Sequence, residues 1–319
     1  MNKSLHVISP ENLLFAQDVL HGLAQKQKTL PCKWFYDQRG SELFEQITRT
    51  PEYYPTQIET GLLQTLTDEL PALHGNIETI VELGSGSSSK TRLLLEKISS
   101  VSRYVPIDIS TDFLALTVAG LKNDFPKIAI TPEVGDFTQP LQIENLPAQK
   151  NKILAFFPGS TIGNFSPPEA TNLLANVRHM TGAGSWLLIG VDMTQNYAAL
   201  HAGYNDAQGI TAEFNLNLLR RANEQLGANF DLAAFTHEAP FNAIESRVEM
   251  HLRTTRRLSV SMLGQTFYFQ EGETIHTENS YKYSQEDFLA IAEAAGWRYI
   301  KVWADDTVSR FGEFLLQAV

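Results

Sequence analysis

A carboxylate stands in or just beyond each of three successive apolar runs: Glu82 in TIVELG, Asp108 closing RYVPID, and Asp136 in EVGDF. Between the first two lies Gly84-Ser85-Gly86-Ser87-Ser88-Ser89-Lys90-Thr91. A glycine-rich turn between a strand and a helix lets the backbone approach a ligand closely, and three chemistries compete for this one. A phosphate-cradling P-loop needs glycine immediately before Lys-Thr, where this chain has Ser89. A dinucleotide fingerprint needs its third glycine where the helix meets the strand, and that position is again serine. The third candidate is S-adenosylmethionine, which has no pyrophosphate and so requires fewer glycines. On this reading Gly84, Ser85 and Gly86 run beside its methionyl and ribose parts. Asp108 accepts hydrogen bonds from the ribose hydroxyls. Asp136 accepts from the adenine amino group, and Phe137 lies against the ring. One Gly-x-Gly turn or one loop aspartate is ordinary. Carboxylates in register at successive strand ends carry the information.

Other chemistries find little support. His6, His21, His74, His179, His201, His237, His251 and His276 show no H-x-x-x-H or H-x-x-E-H spacing, so no metal site is expected. No G-x-S-x-G elbow occurs, and hydrolase readings drop out. Cys32 is the only cysteine, which excludes an internal disulfide and a thiolate zinc site.

The elements that must hold these residues alternate from about residue 57. Amphipathic helical stretches separate runs such as ILAFF and SWLLIGVDM that are apolar nearly throughout, the pattern of a parallel sheet covered on both faces. After Met193 the pattern changes. GITAEFNLNLLRRANEQLG predicts a helix with Phe214, Leu218, Leu219, Ala222 and Leu226 near one face and Gly227 at its end. ESRVEMHLRTTRRLSVSM and QTFYFQEGETIHTENSYKY then alternate like antiparallel strands with an EG turn. A helix beginning at Ser284, with Asp287 at capping-box spacing, leads into two closing strands. The expected architecture is a doubly wound α/β core over 57–195 and 283–319, with 1–56 and 196–282 forming a second α+β domain. Ligand clefts often lie between such domains.

A formal charge of -11 from 25 Lys plus Arg and 36 Asp plus Glu makes nucleic acid and anionic membrane poor partners and a small molecule the better one. No signal peptide or membrane-spanning run is expected, and the single cysteine suits the cytosol, so a cytoplasmic location is expected; a monomer is anticipated.

Longer strings add a resemblance. KWFYDQRGSELFEQITRTPEYYPT, VELGSGSSSKT, FFPGSTIGNF, YNDAQGITAEFN, ESRVEMHL and TENSYKY together resemble the S-adenosylmethionine-dependent histidine Nα-methyltransferases of ergothioneine biosynthesis, over almost the whole chain. The resemblance implies a Rossmann-like class I methyltransferase sheet with an inserted substrate domain, and trimethylhistidine (hercynine) as product. Carried over by position, it implies cofactor contacts at Tyr36, Gly84, Lys90, Asp108, Asp136 and Phe137. It implies histidine contacts at Tyr53, Gly159, Asn164, Tyr204, Glu278 and Ser280, with Met250 near the side-chain pocket. In this scheme Asn164 and Tyr204 hold the substrate carboxylate, Glu278 and Ser280 meet the imidazole, and Tyr53 with the Gly159 carbonyl orients the reacting nitrogen. Asn279 replaces a small apolar residue of the family pattern, and strand alternation would turn it away from the pocket. The rival readings are the same fold acting on another amine such as tryptophan, an NAD-dependent oxidoreductase, and a silent nucleotide-binding homologue.

Overall fold

The computed structural model describes residues 10–70, 77–305 and 310–319. In chain order the first half contains α1 (Pro10–Leu23), β1 (Lys28–Thr29), α2 (Gln38–Ile47), α3 (Tyr54–Leu66), β2 (Thr79–Leu83), α4 (Ser89–Lys97), β3 (Arg103–Asp108), α5 (Thr111–Asp124), β4 (Ala129–Ile130), β5 (Glu133–Val134) and β6 (Ile153–Phe157). There follow α6 (Pro167–Thr181), β7 (Trp186–Asp192), α7 (Tyr197–Tyr204), α8 (Ile210–Leu226), β8 (Phe235–Glu238), β9 (Phe241–Asn242), β10 (Arg247–Thr254), β11 (Leu258–Met262), β12 (Gln265–Phe269), β13 (Thr274–Tyr281), α9 (Gln285–Ala294), β14 (Trp297–Asp305) and β15 (Phe311–Ala318).

The chain divides into two compact units, each of three segments: Met1–Ile47, Tyr204–Pro240 and Glu249–Glu278 in one, and Thr48–Gly203, Phe241–Val248 and Asn279–Val319 in the other. The second, larger unit takes in the 57–195 and 283–319 expected for the core and adds 48–56, 196–203, 241–248 and 279–282.

The larger unit is built on a sheet of order β14-β15-β7-β6-β2-β3-β4, with β5 continuing alongside β3. The pairs β7-β6, β6-β2, β2-β3 and β3-β4 are parallel, whereas β15 runs antiparallel to both its neighbours. Along β6, Leu154 and Phe156 join one core cluster and Ala155 and Phe157 the other. Successive strand residues point to opposite faces, and here both faces are packed, which is why the sequence shows no polar alternation. The run KIAITPEVGDF forms two short pairings with β3 instead of one strand, because Pro132 has no N–H to give to the ladder. Ser284 caps α9 as its spacing predicts, its Oγ accepting from Asp287 N at 3.0 Å. The closing pair β14 and β15 is also present. In GLLQTLTDELPALHG the helix α3 ends at Leu66, and 71–75 lie outside the described residues.

In the smaller unit α8 runs from Ile210 to Leu226 and stops at Gly227, whose φ is +65°. Phe214, Leu218, Leu219, Ala222 and Leu226 are all buried, as the periodicity predicts. Phe214 stacks on Phe35 with ring centroids 4.4 Å apart. The sheet order is β1-β13-β10-β8. Along β10, Met250, Leu252 and Thr254 are buried, and the residues between them are half-buried or exposed. β11 and β12 form a separate hairpin whose two-residue turn is Leu263-Gly264, with φ of +50° and +80°. Positive φ at both turn residues is the type I′ geometry that matches strand twist, and leucine is a poor signal for it. The predicted EG turn falls between β12 and β13, with Gly272 at φ +79°.

Candidate active site

The glycine turn leaves β2 with Gly84 at φ +67° and Gly86 at φ +47°. Asp108, at the end of β3, braces it: Oδ2 accepts from Gly86 N at 3.1 Å, and Oδ1 accepts from Ser110 N at 2.9 Å. Burial raises the Asp108 carboxyl above its usual range, and these amides oppose the rise. With three backbone amides on its four lone pairs, the carboxylate keeps acceptor capacity for a ligand hydroxyl. Phe137 lies over the turn, 3.5 Å from where a Cβ on Gly84 would stand, and its ring meets Phe157 edge-on at 5.5 Å. Asp136 accepts from Thr138 N at 3.0 Å and from Thr138 Oγ1 at 2.5 Å. Ser85 carries a buried hydroxyl with no hydrogen-bond partner among the described residues, and a Cβ on Gly86 would enter open space. A turn with an unused buried donor, room beside its backbone and two carboxylates at neighbouring strand ends fits S-adenosylmethionine.

Glu82 has a different task. Its Oε2 accepts from Thr91 Oγ1 and Tyr104 OH, tying β2 to α4 and β3, and burial pushes its carboxyl up to about 8.

A second group gathers around the turn after β6. Gly159 adopts φ +82° and donates its N–H to Glu59 Oε1 at 2.6 Å. Lys90 Nζ is ion-paired with the other oxygen of Glu59 and lies 3.6 Å from the Cβ position of Gly159. Tyr53 precedes the first residue of α3. Asn164 ends the short 3-10 turn Thr161–Asn164, and this turn packs on the end of β13: a Cβ on Gly163 would sit 2.8 Å from Tyr281 O and 3.6 Å from Ser280 Oγ. Ser280 Oγ accepts from the buried Lys282 ammonium at 2.9 Å. That ammonium pairs with Asp192 Oδ2 at 2.8 Å, which also accepts from Tyr54 OH at 2.6 Å. Thus Lys90 and Gly159 come together, as do the Asn164 turn and Ser280.

The smaller unit carries the other residues. Tyr36 meets Phe44 and Phe214 edge-on, each at 5.7 Å. Tyr204 is anchored through its carbonyl, which accepts from His237 Nε2 at 2.8 Å, while His237 Nδ1 accepts from Asn215 Nδ2 at 2.9 Å. Burial holds His237 below the ordinary imidazole range, which keeps it neutral. Asn215 also donates to His251 O at 3.1 Å and accepts from Thr277 Oγ1 at 2.8 Å, joining the strand of Tyr204's anchor to the strand of Glu278. Met250 is buried in the unit's core, whereas Glu278 is half-buried. In β13 the alternation of burial runs to Thr277, after which Glu278 and Asn279 are both half-buried. The Asn279 carboxamide oxygen is buried with no hydrogen-bond partner among the described residues.

His6 and His74 lie outside the described residues. Among the described residues, Glu249, His251 and His276 bring possible ligand atoms within 4.8 Å of one another. The two rings are stacked, with centroids 4.6 Å apart and planes at 24°. Imidazole binds a metal in its ring plane through a nitrogen lone pair, and rings stacked this way cannot both aim at one ion without turning. His251 Nε2 faces Glu249 Oε2 at 3.2 Å and His276 Nε2 faces Glu278 O at 3.0 Å, while His251 Nδ1 is buried with no hydrogen-bond partner among the described residues.

The sequence offered little sign of Glu59, Glu313, Asp192, Lys282, Asn215 and His237. Asn215 closes the unusual string YNDAQGITAEFN and Lys282 lies in TENSYKY, and those strings were the available signals. Within the first, Asn205 clasps both backbone groups of Ala239, and Asp206 accepts from the Ile210 and Thr211 amides at the start of α8.

Counted within the larger sheet the strand order is 3-2-1-4-5-7-6, with strand 7 alone antiparallel to the rest. This order and the glycine turn at the end of its first strand define a Rossmann-like class I methyltransferase. A crystal structure of an S-adenosylmethionine-dependent methyltransferase from Clostridium acetobutylicum has the same fold, with a TM-score of 0.50 at 12% identity over 82% of this chain and 92% of that one. Residues 15–318 match the profile of the histidine-specific, S-adenosylmethionine-dependent methyltransferases, and the chain belongs to that family. It is 39% identical to the Histidine N-alpha-methyltransferase of Mycobacterium tuberculosis over 92% of each chain. It is 40% identical to the Histidine N-alpha-methyltransferase of Mycolicibacterium smegmatis over 91% of this chain and 90% of that one. A 4-dimethylallyltryptophan N-methyltransferase of Epichloe festucae is 26% identical over 90% of each.

Proposed function

We propose that this enzyme methylates the α-amino group of L-histidine, carrying it to trimethylhistidine (hercynine), the step ergothioneine biosynthesis requires. The match of the family profile across 15–318 carries the reading. The braced glycine turn with Asp108 and Phe137 beside it supports the cofactor part.

When bound, S-adenosylmethionine supplies an electrophilic methyl on a sulfonium. Asp108 accepts from the ribose hydroxyls, Asp136 from the adenine amino group, and Gly84, Ser85 and Gly86 run beside the methionyl part with Tyr36 and Phe137 against the ligand. Lys90 is matched to the one anionic group of that ligand, its carboxylate. Asn164 and Tyr204 hold the histidine carboxylate, and Glu278 and Ser280 take the imidazole, with Met250 near the side-chain pocket. Tyr53 and the Gly159 carbonyl orient the amine along the line of displacement, and holding it there is most of the catalysis. An ammonium has no lone pair to attack with; partial burial beside a cation lowers its pKa, so water suffices to take the proton. Tyrosine faces favour the growing cation by about 0.5 to 2 kcal/mol, so nothing penalises the second and third transfers.

Purified protein with S-adenosylmethionine and a panel of free amino acids, read by mass spectrometry, should show three methyl additions on histidine. No addition, or addition to another amino acid in preference, rejects the reading. The second reading, an indole amine as substrate, is favoured by the similarity to the dimethylallyltryptophan enzyme, and the same panel with tryptophan separates the two. The enzyme is proposed to work as a cytoplasmic monomer on small molecules, without nucleic acid or membrane; among the described residues no helix is long and apolar enough to cross a membrane.

A further inference from the structure

Two carboxyl side chains, Glu59 on α3 and Glu313 on β15, are fully buried beside each other in the larger unit. Gly190 on β7 registers how close they are: a Cβ there would lie 2.4 Å from Glu59 Oε1 and 3.1 Å from Glu313 Oε1. Only glycine leaves room for both. Glu59 is fully engaged, one oxygen with the Gly159 amide and the other with Lys90. Glu313 reaches no donor among the described residues, and the Glu59 carboxyl stands within hydrogen-bonding range of it. Two adjoining carboxylates facing a single ammonium cannot both ionise. Burial, and then the Glu59 charge, push the Glu313 carboxyl well above its usual range, so Glu313 stays a neutral acid and donates its O–H to Glu59.

We propose that this proton-sharing pair is a positioning device for methyl transfer: ionised Glu59, backed by neutral Glu313, fixes the Lys90 ammonium and the Gly159 amide against each other before either ligand arrives. The inference rests on the reading above, in which Lys90 meets the cofactor carboxylate and Gly159 the reacting amine. The charge count explains why one proton is kept. Lys90 alone would repel the sulfonium and the substrate amine. Lys90 with two carboxylates would leave a net negative site that keeps the amine protonated and unable to attack. One ionised carboxylate against one ammonium avoids both.

Glu59→Gln and Glu313→Gln separate the roles. The amide of Glu313→Gln has the shape of the neutral acid and donates in its place. Glu59→Gln removes the charge that holds Lys90. Glu59→Gln should lose at least tenfold more kcat/KM for S-adenosylmethionine than Glu313→Gln, seen mainly in KM. The double variant should fall below Glu59→Gln, in which Glu313 is free to ionise and take over. Infrared difference spectra of wild type against Glu313→Gln should show the loss of one buried protonated carboxyl band. Equal losses in the two single variants, or no loss of that band, would overturn the proposal; the band is read without Glu59→Gln, so a folding failure there leaves the test intact. A wild type that neither binds S-adenosylhomocysteine nor methylates histidine would instead defeat the reading on which the proposal rests.

Discussion

Among the titratable residues, Glu82 and Glu278 make opposite demands. Glu82 is buried, and its folded-state carboxyl titrates near 8 against an ordinary value of 4.5. The folded protein therefore holds a proton that the unfolded chain releases between those values, and Glu82's contribution to stability falls as pH rises through that window. Glu82→Gln mimics the neutral form, so its melting temperature should gain on wild type steadily from pH 5 to pH 8; a constant difference would show that Glu82 is ionised in the fold. Glu278 is proposed to act instead through selectivity. Glu278→Ala should lower kcat/KM for histidine by about a hundredfold or more while helping an apolar side chain, since a hydrogen bond built for a substrate N–H discriminates strongly. An unchanged ranking of amino acids would remove Glu278 from the pocket. The glycine turn could be read in the sequence because its constraint is local. The surroundings of Glu59, TQIETGLL, read as the polar face of an amphipathic helix, where glutamate ordinarily meets water. Its burial depends on Glu313, Lys90 and Gly159, which are remote in the chain.

At the level of elements, short turns set where side chains end up. The 3-10 turn Thr161–Asn164 lies against β13 at Gly163. Gly163→Ala would force a methyl to 2.8 Å from Tyr281 O, so the turn must move away from Ser280. We expect KM for histidine to rise several-fold with KM for S-adenosylmethionine little changed; equal rises in both would mean that the turn does not serve the substrate. In the smaller unit, Asn215→Ala would leave Thr277 Oγ1 and His237 Nδ1 without their Asn215 partner, costing about 2 to 3 kcal/mol in denaturant titration. A loss below about 0.5 kcal/mol would show that these hydrogen bonds contribute little to stability. Helix α8 and the closing strands were legible from periodicity alone. The hairpin turn at Leu263-Gly264 was not, because its backbone geometry normally announces itself through Asn-Gly or Asp-Gly.

For the whole molecule, the test of the cofactor is thermal. S-adenosylhomocysteine at a hundredfold excess over its Kd should stabilise the folded state by about 2.7 kcal/mol and raise Tm by a few degrees, and NADH should not. A shift with NADH alone would return the glycine turn to the dinucleotide reading. The chain crosses between its two units five times, at 47/48, 203/204, 240/241, 248/249 and 278/279. Composition gave no sign of these boundaries, since no glycine- or proline-rich linker marks them; they follow from long-range packing. One further consequence comes from where the proposed specificity residues lie. Met250 and Glu278 occupy two strands of the smaller sheet, whereas the glycine turn, Asp108 and Asp136, proposed to meet the cofactor, belong to the larger unit. On that assignment a mutant library confined to β10 and β13, which carry Met250, Glu278 and Ser280, should yield new side-chain preferences without eroding affinity for the methyl donor, a separation that natural divergence could exploit as readily as a designer.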